Sequence, residues 1–193
     1  VGSEMCIRDR HQIDSLPKYS VDQMAARIAT PENITWSNRA FLDSALPGGS
    51  TELGSVIGFG MTEDRDQLPR IVHPHGHSVS WLRAVRGQGI SMHRHSQSTV
   101  LMVYSGEWEV TVNRGPDTRS VRLAEWDMLS VPPNAFREIR SVGADTGMLL
   151  MVTSGDGRVR IEWDDEVVKA AGDAGLAIDP NGYVAPADLV PSP

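Results

Sequence analysis

The chain has 193 residues, 40% of them hydrophobic and 22% charged, with a formal net charge of −7. Those values fit an ordinary globular chain, and no apolar run approaches the ~18 residues that a membrane helix needs. Arginines are scattered along an acidic chain, which argues against nucleic acid as the main partner.

The first ten residues, VGSEMCIRDR, read back into codons as a transposon-type sequencing adapter, so residues 1–10 are set aside as an artefact. The single cysteine, Cys6, lies within them. The rest of the chain therefore has no thiol chemistry, which points to a cytoplasmic setting. On this reading the native N-terminus is missing and more protein preceded the fragment.

Ser20 followed by Gln23 has capping-box spacing and predicts a short helix to about Ala29, stopped by Pro31. Residues 31 to 50 read as loop, ending in the turn-prone Pro47-Gly48-Gly49-Ser50. From Thr51 onward, short β-type runs follow one another between Gly, Pro, Asn and Asp. They are Glu52 to Gly60, Arg70 to His73, Val79 to Arg86, Ile90 to His95, Val100 to Tyr104 and Glu107 to Asn113. Ser120 to Leu123, Met128 to Val131, Phe136 to Arg140, Met148 to Thr153 and Arg158 to Trp163 complete the series. Many short strands without intervening helices predict an all-β antiparallel sandwich or barrel, with a jelly-roll barrel as the best fit. Asp164 or Asp165 caps a short helix over Glu166 to Ala171, closed by Gly172, and Asp179-Pro180-Asn181-Gly182 is a turn before a loose tail.

Within this series, His93 and His95 stand two apart on a β-type stretch, so both imidazoles face the same way. Neutral imidazole ligates zinc, iron, nickel or manganese, but a usable site needs about three protein ligands. Extending the strand by twos adds Gln97 and Thr99 to the same face, making a polar pocket floor. Glu109 or Glu138 is a carboxylate that a two-His site could recruit. His73, His75 and His77 form a second alternating cluster, but Pro74 and Gly76 interrupt it, and a surface loop is the favoured reading. Trp81, Trp108 and Trp126 read as core or rim packing rather than a stacking platform, and Met102 and Tyr104 as ordinary barrel residues.

Gly87, five further residues, His93-Arg94-His95 and then Gly106 resemble the first motif of the cupin superfamily. Trp126-Asp127 through Pro132-Pro133-Asn134 to Arg137 resembles its second, and the match covers roughly Ile71 to Thr153. The resemblance implies a metal set of three His and one Glu. By register the Glu position falls on Thr99 and the last His on Arg137, whose fixed positive charge repels a metal and attracts a carboxylate or phosphate. It also implies a homodimer. The segment Trp163 to Tyr183 is similar to the end of the second cupin of a two-cupin protein. The expected organisation is an arm or remnant of an upstream domain over 11–62, a barrel over 63–156, and a C-terminal strand, helix and tail over 157–193.

Two functional readings follow. In the first, a small polar or anionic molecule sits in the lumen against Arg137, Thr99 and Gln97, beside a degenerate metal site at His93 and His95. In the second, the protein is a metal-dependent cupin dioxygenase acting on a small aromatic or carboxylate substrate, with His93, His95 and Gln97 or a carboxylate on the metal.

Overall fold

The computed structural model describes residues 18–191, so the adapter-like decapeptide lies outside the described residues. Strands β1 (Thr35–Ser37), β2 (Glu52–Ile57), β3 (His77–Ala84), β4 (Gly89–Arg94), β5 (Thr99–Ser105), β6 (Trp108–Val112) and β7 (Arg119–Leu123) are followed by β8 (Met128–Val131), β9 (Arg137–Ser141), β10 (Gly147–Ser154), β11 (Glu162–Trp163), β12 (Leu176–Ile178) and β13 (Val184–Pro186). Two helices flank them, α1 (Val21–Ala25) and α2 (Asp165–Asp173). One sheet has the order β1-β2-β3-β10-β5-β8 and the other β11-β4-β9-β6-β7, with every pairing in both antiparallel. The pairs β3-β10, β10-β5, β5-β8, β11-β4, β4-β9 and β9-β6 join strands that are distant in sequence, as a jelly roll requires.

Alternation drives the assembly. Every second residue of β3 and of β10 is buried, giving Leu82 and Ala84 on one and Leu149 and Met151 on the other. Ile90, Trp108, Val110 and Ile139 of the second sheet meet them. A fully buried side chain of this size contributes about 1.5–3 kcal/mol. Ala40, Phe41 and Leu42, from the segment read as loop, belong to the same core.

Several expectations are corrected. The capping box at Ser20 and Gln23 forms, but α1 ends at Ala25 because it buries no residue that would extend it. Arg70 to His73 supplies only an isolated bridge from Ile71 to Ile57, and Arg158 to Trp163 supplies strand only at its last two residues. Asp164 caps α2, which runs past Gly172 to Asp173 and is followed by Gly175 at φ 76. The tail instead contains the hairpin β12–β13, turned at Asp179, whose carboxylate accepts from the Asn181 and Tyr183 amides. The larger sheet also begins upstream of residue 63, since β1 and β2 pair in it.

Close backbone contact fixes where the sheets meet the loops. A Cβ on Gly89 would lie 1.8 Å from the Ile139 carbonyl oxygen, so only glycine fits there. Gly89→Ala should lower stability by about 3 kcal/mol in urea unfolding, and an unchanged midpoint would refute this close approach.

Candidate functional site

β4 carries His93, and His95 follows its last residue. The chain bends at Ser96 and Gln97 before β5 begins at Thr99, so the expected continuous face does not form. Thr99 nevertheless meets the pair from the other sheet, its hydroxyl 3.4 Å from His95 Nε2 and 3.2 Å from the Thr153 hydroxyl. Gln97 is half-buried and its side-chain oxygen pairs with the neighbouring Ser96 hydroxyl, so it does not join the cluster.

Arg137 opens β9, opposite His93 in register, and is 2% exposed. Its guanidinium donates to the Ala135 carbonyl at 3.0 Å and to His95 Nε2. Accepting this bond makes His95 the Nδ1–H tautomer, and Nδ1 is buried without a partner. His93 Nδ1 donates to the Ser91 carbonyl at 2.7 Å, which leaves its Nε2 lone pair buried and unpartnered. The two imidazole centroids are 6.3 Å apart, and Trp163 lies against His93 at 5.5 Å. His93, His95, Thr99 and Arg137 are all buried, so the cluster is shielded from bulk solvent.

Charge follows from burial. Desolvation, then the Arg137 charge, holds His93 well below the usual imidazole range and His95 at about 3, so both are neutral. Desolvation alone lowers Arg137 to about 10, and no carboxylate partners it among the described residues.

This donor set does not fit a metal ion. Among the described residues no three His, Cys, Asp or Glu side chains gather at one point, and Arg137 occupies the His95 nitrogen that would ligate. The carboxylates expected to be recruited face outward. Glu109 pairs with Arg122 at 3.4 Å and Glu138 with Arg140 at 2.6 Å, because each alternates away from buried neighbours on its strand. His73 and His75 are exposed in the loop before β3, and His77 is half-buried as its first residue.

Two buried acids escaped the sequence reading. Asp43 Oδ2 accepts the Ser91 amide at 2.6 Å. Glu63 accepts from the Leu42 amide at 2.7 Å and from Trp163 Nε1 at 2.9 Å, which links it through Trp163 to His93. Burial pushes Asp43 up to about 6 and Glu63 up to about 8. Nothing periodic marks either acid in the sequence.

No family model matches the sequence, and no curated protein matches it. Among solved structures the chain is similar to a cupin-2 domain from Rhodospirillum rubrum, at 13% identity and TM-score 0.51, over 76% of this chain and 85% of that one. It is also similar to the Cnp3 cupin domain of Schizosaccharomyces pombe, at 14% identity and TM-score 0.42, over 55% of this chain and 61% of that one. An oxalate decarboxylase from Lactobacillus farciminis, in a formate complex, aligns at 17% identity and TM-score 0.43, over 55% and 29%. The chain thus spans less than two thirds of the last two. Two antiparallel sheets packed around a common core define a jelly-roll β-barrel. This fold is similar to that of the Rhodospirillum rubrum cupin-2 domain.

The buried groups set opposing pH limbs. The depressed His95 pKa makes stability rise with pH from about 3 to 6.5, where the unfolded chain binds more protons. The raised Asp43 and Glu63 values make it fall, from 3.8 to about 6 and from 4.5 to about 8. The lowered His93 value adds to the rising limb, so stability in urea should peak near pH 6.5 and decline toward pH 8. Glu63→Gln should flatten the alkaline limb, and a limb that stays equally steep in that variant would rule out Glu63 as its source.

Proposed function

We propose that this chain is a cupin-type binding domain that holds a small anion, of carboxylate or phosphate class, beside Arg137, His95 and Thr99, at a site whose metal set is degenerate. The observation that carries the proposal is a buried guanidinium without a carboxylate partner among the described residues. A fixed charge taken out of water is costly unless an opposite charge meets it. Two of its five N–H donors are used, on His95 and Ala135, which leaves three for an anion. Planar guanidinium suits carboxylate and phosphate alike. The dioxygenase reading needs a third nitrogen or a carboxylate ligand, and among the described residues none joins the histidine pair.

Titration calorimetry with formate, acetate, phosphate and sulfate tests this. Saturable binding of at least one anion is expected, weakened at least about tenfold in Arg137→Met, as loss of a charged hydrogen-bond donor implies. No binding by the wild-type protein, or equal binding by the variant, would overturn it. Elemental analysis separates the alternative, because near-stoichiometric metal that disappears in a His93→Ala, His95→Ala double variant would favour the enzyme.

A homodimer is the second part of the proposal. The outer face of the larger sheet presents Trp126 at 68% and Met128 at 66% exposure, with Val100 and Tyr104 also exposed. Trp81 meets Tyr104 edge-on at 5.5 Å, and Tyr104 meets Trp126 at 6.3 Å. An apolar face of this kind, whose Arg83 is neutralised by Glu52 at 2.9 Å, suits a second copy of itself, despite the net charge of the chain. Sedimentation should give a dimer for the wild-type protein and a monomer for a Tyr104→Lys, Trp126→Lys variant. A monomeric wild type would refute this assignment.

A further inference from the structure

The ladder between β4 and β9 runs from Gly89↔Arg140 and Ile90↔Ile139 to His93↔Arg137, so Ser91 and Met92 together oppose Glu138. This is a β-bulge, a device that re-aims the side chain beside it. β4 is interior to its sheet, flanked by β11 and β9, so the groups released from the ladder are enclosed and need other partners. Both backbone groups of Ser91 find partners off the ladder. The Ser91 amide goes to Asp43 Oδ2 at 2.6 Å and the Ser91 carbonyl to His93 Nδ1 at 2.7 Å. The Ser91 hydroxyl accepts from Arg140 at 3.1 Å, and the Met92 carbonyl accepts from the Asp164 amide at 3.0 Å.

Asp43 is fully buried and comes from the short 3-10 turn Leu42–Ala45, outside both barrel motifs. The turn is pressed into place from behind. A Cβ on Gly49 would lie 1.9 Å from the Asp43 carbonyl oxygen, and Arg140 also donates to the Gly48 carbonyl.

We infer that Asp43 is a positioning residue for the Arg137 site: by holding the Ser91–Met92 bulge, it fixes the orientation of His93 and presents its Nε2 lone pair to the barrel interior. The role in ligand binding rests on the anion reading above, whereas the clamp itself is independent of it.

Nitrogen-15 spectra of histidine-labelled protein, together with acetate and phosphate titrations, test the inference. Wild-type His93 should show the single Nδ1–H tautomer. Asp43→Asn, which keeps an acceptor oxygen, should preserve both the spectrum and the affinity. Asp43→Leu should give mixed tautomers and lose roughly tenfold in affinity, the low end of what orienting partners of a site are worth. Gly49→Ala, which displaces the Asp43 backbone without touching β4, should perturb His93 in the same way and serves where Asp43→Leu does not fold. A folded Asp43→Leu or Gly49→Ala variant with wild-type His93 signals would overturn the clamp. A wild-type protein that binds neither anion, but whose His93 loses its single tautomer in Asp43→Leu, would refute the anion reading and uphold the clamp.

Discussion

The contact between Arg137 and His95 sets the character of the barrel interior. A buried guanidinium donates to the imidazole nitrogen of its neighbour. Desolvation, and then the Arg137 charge, keep both histidines neutral, and the bond from Arg137 fixes the His95 tautomer and removes one ligating lone pair. A divalent ion at the same place would face a fixed like charge with a single free nitrogen. An anion would meet the remaining donors of Arg137, with the Thr99 hydroxyl beside them.

Around this contact the protein buries acids that its barrel motifs do not contain. Glu63 joins segments that are distant in sequence. Its amide donates to Ala40, its carbonyl accepts from Val184, and its carboxyl holds Leu42 and Trp163. Asp43 holds the bulge of β4. Trp163 lies between Glu63 and His93, so the N-terminal segment and the terminal hairpin are connected to the histidines through the buried Glu63 carboxyl and the Trp163 ring. Buried networks of this kind are costly when partly satisfied and rigidifying when complete. Rigidity at His93 is the gain that the bulge and its clamp provide.

The larger sheet shows a different balance on its two sides. Its inner face is the core, while its outer face carries Trp81, Met102, Tyr104 and Met128, with Trp126 in the turn preceding β8. Trp108 is fully buried, whereas Trp126 and Tyr104 are exposed and Trp81 and Met102 are half-buried on this outer face. Strand alternation cannot distinguish an apolar residue that faces the core from one that faces a partner, because both satisfy the period of two.

The sequence alone determined the jelly roll. Alternating apolar residues and turn-forming breakers placed most strands to within a few residues, and Met128–Val131 at its observed limits, since period and turn chemistry are local. It also singled out His93, His95, Thr99 and Arg137, which the structure brings together. Tertiary structure decided the rest. β1, β12 and β13 are three residues long and form only because a neighbouring strand is present. The bend at Ser96 and Gln97 removes Gln97 from the site, and the β4 bulge turns His93 toward it. Asp43 and Glu63 acquire their roles from partners 48 and 100 residues away. No local pattern encodes that, because burial and hydrogen-bond partnership exist only once the chain has closed on itself.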